Sequence, residues 1–515
     1  MVKKGNWKVS MSGSILCCMH QDYMEKVVSS IREEFKLPVV CIVMWQFVEN
    51  QMTLSSMEKD NIGKFYSMPQ FYFDNINRIS GMKLDDLDSL QKTLEEELSI
   101  NNNVMITYYD RMFYQIEDYR ESRNLQVIYL LFAKKIFDEN EIRYILLGRE
   151  LYLWQILADI GLSRRIPAMG IAPTRHVGHR LFAYDSKNRQ QGMEQIFNAL
   201  MKEGTKDFDA KDIADADEWY ERFINKPQIP RYVEHRSRSL LKNIKSVPRS
   251  MSFIKKNVEM YRNNEFDRNA GRLDSSVDSM LKWPRKALRM FRLEYTDFLV
   301  RKPDFSKKYI YLPLHKSPEV NDMYFGEEYS HHESFVFQLA KKLPSDYCLY
   351  VKDHTAMVGD RELGFYKRLK ALYNVEVIHP YVSTFELSKN SAATLTVTGT
   401  AGWEAYLLNR PVVVLGRVFY NFLPNLLYAD LYSPDFTERL LEYLDNFSED
   451  PKGAQNALRA HFLASYKTSF STREMDDLGA KAQDYARIPH NLFRKWGELL
   501  LESEPKACRG EQRTE

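Results

Sequence analysis

The chain has 515 residues, 44% hydrophobic and 28% charged, a globular composition that excludes global disorder and, at roughly 150 residues per domain, predicts two or three domains. Lys and Arg number 72 against 70 Asp and Glu, a formal charge of +2, too nearly balanced for binding nucleic acid along the chain's whole length. No apolar run approaches the roughly 18 residues of a membrane span, and five scattered cysteines, an odd number, exclude a disulfide scaffold.

The apolar stretch 15–19 is too short for the core of a secretory leader, which with the thiol usage predicts a cytoplasmic protein. Over 1–190 strand-like and helix-like segments alternate. Strands are predicted at 39–45, 104–109, 144–147, 166–171 and 181–184, where β-branched and apolar residues run together. Helices are predicted at Leu84–Leu98, from leucines at helical spacing, at 112–137 with a break near Asn124, and at 150–160, stopped by Gly161. This rhythm predicts an α/β domain with a parallel sheet covered on both faces.

Strand signals vanish over 191–302, predicted to be a mainly helical insertion or linker. Between Arg231 and Lys302 stand 18 Lys and Arg against 8 Asp and Glu. The segment 281–292, LKWPRKALRMFR, joins five basic residues to Trp, Met and Phe. Two readings fit it: a patch for a membrane surface or an anionic acceptor, and a solvated helix packed by its apolar side.

Over 303–433 the alternation returns, with strands at 309–314, 347–352, 375–378, 394–398 and 411–415 and helices at 334–342, 364–372, 385–389 and 403–408. That is one doubly wound domain. Residues 434–503 are predicted to be helices packing back on the N-terminal domain, and 504–515 a flexible tail.

Ligands of open parallel sheets sit outside the carboxyl ends of the strands. Those ends carry His315 and Glu319, then Lys352 and His354, then His379, then Thr398, Gly399, Thr400, Gly402 and Glu404, then Gly416 and Arg417. The turn 398–404 is the strongest piece. Small residues and glycines let a helix start present bare N–H groups, which suit a phosphate, although such a turn also has purely structural uses. Glu404 could accept ribose hydroxyls or complement the helix N-terminus. Lys352 and His354 could meet phosphate oxygens. Glu319 is a candidate general base, with His315 beside it orienting acceptor or donor.

The runs YLPLHKSPE, LYVKDH and TVTGTAGWEAYLLNRPVVVLG, in this order, resemble the capsular polysaccharide synthesis glycosyltransferases, which include the Kdo transferases of bacterial capsule assembly. The resemblance is dense over 309–420, weaker over 140–185 and silent over 190–300. It implies a GT-B architecture of two Rossmann-like domains, a nucleotide-sugar donor, often a CMP sugar such as CMP-Kdo, an oligosaccharide or lipid-linked acceptor, and no obligatory metal or other cofactor. Lys352 and His354 match the family's Lys-x-His-Pro element, thought to hold donor phosphate, with Thr355 in place of proline. Thr400, Gly402 and Glu404 match its glycine-containing helix start. His315 and Glu319 fall where related transferases carry a Gln-x-x-x-Asp loop bearing the base, with both residue types changed.

Three other functions fit the same residues: a CMP-releasing polyol-phosphate transferase, a sugar-nucleotide epimerase, and an inactive GT-B scaffold in a capsule assembly complex. Asp86-Leu87-Asp88 and Asp215-Ala216-Asp217 have D-x-D spacing but lie in helical contexts, which argues against a metal site. His176 with His179, and His331 with His332, lack a third ligand at convincing spacing. Arg175, at the end of a predicted strand in the first domain, is an acceptor-side candidate.

Overall fold

The computed structural model describes residues 13–19, 37–44, 64–100, 107–108, 110, 113–147, 152–166, 168–173, 179–183, 191–206, 209–225, 258–270 and 276–471. The first sheet holds β1 (Ser14–Met19), β2 (Val39–Val43), β3 (Lys64–Ser67), β4 (Ile142–Leu147), β5 (Ala168–Pro173) and β6 (His179–Ala183), joined at its edge by β13 (Ser469–Ser471). Its order is β13-β6-β5-β4-β1-β2-β3. The five strands from β3 to β5 are parallel, β6 runs antiparallel to β5, and β13 runs antiparallel to β6. The apolar run at 15–19 thus lies in a central strand, with Ile15 through Cys18 fully buried.

The helices covering this sheet are α1 (Met68–Ser80), α2 (Leu84–Leu98), α3 (Tyr119–Glu139) and α4 (Tyr152–Ser163). Helix α1 escaped the sequence analysis, although Ser67 caps it through Gln70 N–H at 3.0 Å and Pro69 sits in its first turn. The predicted break near Asn124 is absent. Asp118 caps α3 through Glu121 N–H at 2.7 Å, and buried Asn124 continues the helix while its Nδ2 donates to Ser80 Oγ at 3.3 Å. Of the predicted strand 104–109, the described residues 107 and 108 are helical.

Among the described residues of 191–299 every regular element is a helix: α5 (Gln191–Glu203), α6 (Ala210–Asn225), a short turn of helix from 258, α7 (Glu265–Asn269) and α8 (Ser276–Tyr295). These helices do not form a core of their own. Phe266 of α7 packs in the first domain's core against Tyr72, whereas Leu293 of α8 packs in the second.

The second sheet holds β7 (Tyr309–Pro313), β8 (Cys348–Lys352), β9 (Val375–Ile378), β10 (Ala393–Thr396), β11 (Val412–Val414) and β12 (Leu427–Tyr428). All neighbours are parallel, in the order β12-β11-β10-β7-β8-β9. Its helices are α9 (Val320–Met323), α10 (His332–Lys342), α11 (Leu363–Lys370), α12 (Thr384–Asn390) and α13 (Thr400–Leu407). Strands β7 to β11 are buried along most of their length, as expected of a sheet covered on both faces, whereas the edge strand β12 is half-exposed. Each sheet is the centre of a Rossmann-like α/β domain.

After β12 come α14 (Phe436–Asn446) and α15 (Pro451–Thr468). Phe436 and Leu440 of α14 pack in the second domain's core rather than on the first domain. Helix α15 packs Ala457 and Leu458 against Met193 and Phe197 of α5 and Trp403 of α13, and Arg459 holds Asp217 of α6 through Nε at 2.9 Å. The chain then reaches the first sheet, where β13 pairs with β6.

Candidate functional site

In the second sheet the chain runs β7, β8, β9 in one direction and then returns to place β10 on the other side of β7. The loops leaving β7 and β10 therefore stand side by side at the topological switch point, the place where ligands of open α/β sheets bind. His315 follows β7, and Thr398-Gly399 follows β10. The two loops meet: Thr398 N–H donates to His315 Nε2 at 3.3 Å. Because Nε2 accepts this bond, the neutral ring carries its proton on Nδ1. Burial pushes the His315 pKa down to about 4, so the ring is uncharged at neutral pH.

Helix α13 begins at Thr400, three residues before its predicted start, with Gly399 at the N-cap. Gly399 N–H donates to Thr396 Oγ1 at 2.9 Å, and the Gly399 carbonyl accepts from Tyr420 OH at 2.7 Å. Gly399, at the N-cap, has no side chain to cap the first turn of α13. Both glycines are dictated by close approach. A Cβ on Gly399 would lie 2.7 Å from Thr396 Oγ1 and 3.2 Å from His315 Cε1. One on Gly402 would lie 2.3 Å from Tyr420 OH and 2.8 Å from Thr396 Cγ2. The small residues thus let the helix start seat directly on β10 and the His315 ring.

Lys352 ends β8 and is buried; its Nζ donates to Thr384 Oγ1 at 2.6 Å. Burial pulls its pKa down to about 8, partly offset by the negative charge of Glu404 on α13. Glu404 and Lys352 are thus near enough to interact electrostatically. His354 starts the short 3-10 turn Thr355–Met357, and its Nδ1 accepts Ala356 N–H at 3.0 Å. Its neutral form therefore carries its proton on Nε2. Glu319 follows the cis Ser317–Pro318 peptide, and its carbonyl accepts from Asp322 N–H at 3.0 Å and Met323 N–H at 2.8 Å, so its backbone begins α9.

Residues that sequence reasoning missed hold these loops together. The Arg361 guanidinium donates from Nε to Asp353 Oδ2 at 2.8 Å and from one terminal nitrogen to the His315 carbonyl at 3.0 Å and to His332 Nδ1. Asp353 also accepts His354 N–H at 2.8 Å and Tyr366 OH at 2.6 Å. With Nδ1 accepting from Arg361, the neutral His332 donates from Nε2 to Asp322. Asp353 could have been suspected from its place between Lys352 and His354; Arg361 carried no such signal.

The remaining candidates lie elsewhere. Asp88 pairs with Arg123, and Asp217 with Arg459, so a partner engages one carboxylate of each D-x-D pair. Among the described residues no group of three or more His, Cys, Asp or Glu could hold a metal ion. His331 caps α10 through Ser334 N–H at 3.3 Å. His179 lies in β6, whereas Arg175 and His176 lie outside the described residues.

Residues 321–424 match the family model described as capsule polysaccharide biosynthesis protein. That match lies wholly within the second domain and covers about a fifth of the chain. The match spans α9 to the loop after β11, including Lys352, His354 and the start of α13. Among solved structures, the chain is similar to the KpsC β-Kdo 2,7 transferase of Thermosulfurimonas dismutans, at 12% identity over 66% of this chain and 82% of that one, with a TM-score of 0.33. The β-Kdo 2,4 transferase of the same organism's KpsC gives 11% identity over 68% and 88%, also with a TM-score of 0.33. The UDP-N-acetylglucosamine 2-epimerase of Rickettsia bellii gives 13% identity over 91% and 98%, with a TM-score of 0.26. No curated protein matches the chain.

The buried lysine yields a prediction for the free protein. With its pKa lowered to about 8, the folded state binds fewer protons than the unfolded state up to lysine's ordinary value of roughly 10.4. Raising pH through that window should therefore stabilise the fold through Lys352, by up to about 3 kcal/mol. Urea unfolding of wild type and Lys352→Met from pH 7 to 10.5 checks this. The variant should be the more stable near pH 7 and lose its advantage as pH rises, whereas a constant difference would show that Lys352 titrates normally.

Proposed function

We propose that the chain is a glycosyltransferase that moves a sugar from a nucleotide-activated donor, a CMP-sugar such as CMP-Kdo foremost, to a growing surface polysaccharide or glycolipid. The observation that carries this reading is the topological switch point, where α13 starts at a glycine N-cap that has no capping side chain and its Glu404 interacts electrostatically with buried Lys352. The capsule-family match over the same residues supports it. In this reading the donor phosphate meets the first-turn N–H groups of α13 and the Thr400 hydroxyl, with Lys352 supplying charge and His354 a hydrogen bond. Glu404 serves Lys352 and the ribose hydroxyls. These groups stabilise the departing nucleotide without a cation.

Glu319 is the proposed base. As the acceptor oxygen bonds to the anomeric carbon and the bond to the phosphate oxygen breaks, the carboxylate takes the hydroxyl proton. His315, neutral and bonded to Thr398, positions the phosphate turn. Arg175 is retained as an acceptor-side candidate in the first domain.

A bare nucleotide, CMP ahead of UDP, should raise the melting temperature by mass action. Thr400→Val and His354→Ala should each weaken binding by roughly 1–3 kcal/mol. Phosphate should hold Lys352 charged, so affinity should fall as pH rises through about 8. No shift with any nucleotide at millimolar concentration would remove the donor site.

In a transfer assay, Glu319→Gln should lose about 10²- to 10⁴-fold in kcat with donor affinity little changed. Wild-type transfer should survive EDTA. Near-normal turnover of the variant, or loss with EDTA restored by Mn²⁺, would overturn the corresponding assignment.

The helix carrying 281–292 divides its residues between two partners. Lys286 and Arg289 face the second domain, pairing with Asp360 at 2.5 Å and Glu362 at 3.6 Å. Leu288 and Phe291 are exposed, as are Arg285 and Arg292. That outer strip has the composition of a membrane-surface contact, and peripheral attachment at the inner face of the membrane is part of the proposal. No helix among the described residues is long and apolar enough to cross a membrane. Binding to anionic vesicles should fall with salt and in Arg285→Ser/Phe291→Ser. Equal sedimentation of variant and wild type would return the strip to an ordinary solvated face.

A further inference from the structure

A concavity lies at the far end of the same sheet edge, away from the switch point. It has a volume of about 580 Å³, within the usual range for a small-molecule site. It opens where β9 ends and α8 ends, between Glu294-Tyr295, the segment 301–305 and the start of α12. The wall is built firmly. Val300 bridges to Ile378 beside β9, carrying Arg301 and Lys302 to the carboxyl edge of the sheet. Arg301 is anchored on the end of α8, donating to the Leu293 carbonyl at 2.9 Å and to that of Glu294. His379 is buried, and both its ring nitrogens serve the wall: Nδ1 accepts Tyr381 N–H at 3.2 Å, and Nε2 donates to the Leu293 carbonyl at 3.0 Å.

The lining has an uncommon mixture. Tyr295 and Phe305 both line the cavity and are 47% and 40% exposed, so two aromatic rings are available to a ligand there. Around them stand the Glu294 and Glu386 carboxylates and the Arg301 and Lys302 cations. A sugar ring presents flat C–H faces to aromatic rings and hydroxyls to carboxylates, and a carboxylated sugar adds an anion for the cations. Ser383 lines the cavity, and the next residue, Thr384, accepts from Lys352 at 2.6 Å, so the cavity and the proposed donor site share the start of α12.

We propose that this cavity is a saccharide subsite that holds a carboxylated sugar unit of the acceptor glycan. The identity of the glycan as acceptor rests on the transferase reading; the saccharide site itself does not. In the subsite the sugar ring lies on Tyr295 and Phe305, its hydroxyls meet Glu386, and its carboxylate meets Arg301 and Lys302.

The test is calorimetric titration of the full chain with a Kdo disaccharide, with maltose as the neutral control and CMP titrated in parallel. The acidic disaccharide should bind and maltose should bind at least roughly tenfold more weakly. Phe305→Ala and Lys302→Glu should each weaken the acidic sugar roughly tenfold or more while leaving CMP affinity unchanged. Circular dichroism and CMP binding show that each variant is folded. Three results would overturn the subsite: no binding of the disaccharide to wild type, equal binding of maltose, or a loss of CMP affinity in Phe305→Ala matching the loss of sugar. The last would assign the cavity to the donor. Absence of CMP binding with the disaccharide still bound would instead overturn the transferase reading and leave the saccharide site standing.

Discussion

The carboxyl edge of the second sheet depends on one largely buried guanidinium. Arg361 reaches the carboxylate after β8, the carbonyl after β7 and the ring of His332, and so fixes loops that the sheet alone would leave separate. Asp353 is almost wholly buried, which is tolerable only because Arg361, Tyr366 and the His354 N–H together satisfy it. Removing one partner of such a pair typically costs about 3–5 kcal/mol, since the other charge is left in low dielectric. The His315 loop held in this way then takes the Thr398 N–H and packs on Gly399, which sets where α13 begins. Lys352, His354 and the helix start thus inherit their relative positions from an ion pair that touches none of the proposed ligand.

The electrostatics of the candidate site follow from the same burial. A neutral His315 contributes geometry and not charge. Lys352 is a poorly solvated cation with its pKa near 8, so it gains most when an anion arrives to replace the water it has lost. A phosphate at the start of α13 would provide that compensation. Anion affinity and the strain of an unliganded buried lysine are then two sides of one free-energy balance.

Much of the second domain was legible in the sequence because fully buried parallel strands are short apolar runs with abrupt polar ends. The strand Val375–Ile378 was read to the residue, and the residues after each strand were the ones that gather at the edge. The start of α13 was read three residues late, because Thr400, Ala401 and Gly402 look like a turn until Gly402 is seen pressed against Tyr420. Arg361 was not legible, since its bond to the His315 carbonyl spans 46 residues of sequence and no local pattern marks it. The first domain was harder. Helix α3 buries Arg123, Asn124 and Gln126 in mid-helix, which reads as a break in periodicity although these side chains bond within the fold. Helix α1, rich in aromatics and carrying Pro69 in its first turn, was missed although Ser67 caps it and Met68, Tyr72 and Ile79 form its buried face.

The placement of the donor is tested most directly by amide hydrogen exchange of the full chain with and without saturating CMP. Slowed exchange confined to peptides covering 352–356 and 398–404, with the first sheet unchanged, is the expected result, because the ligand would occupy the N–H groups at the start of α13. Saturation by nucleotide with no protection in 398–404, or with protection centred on the first sheet, would contradict it.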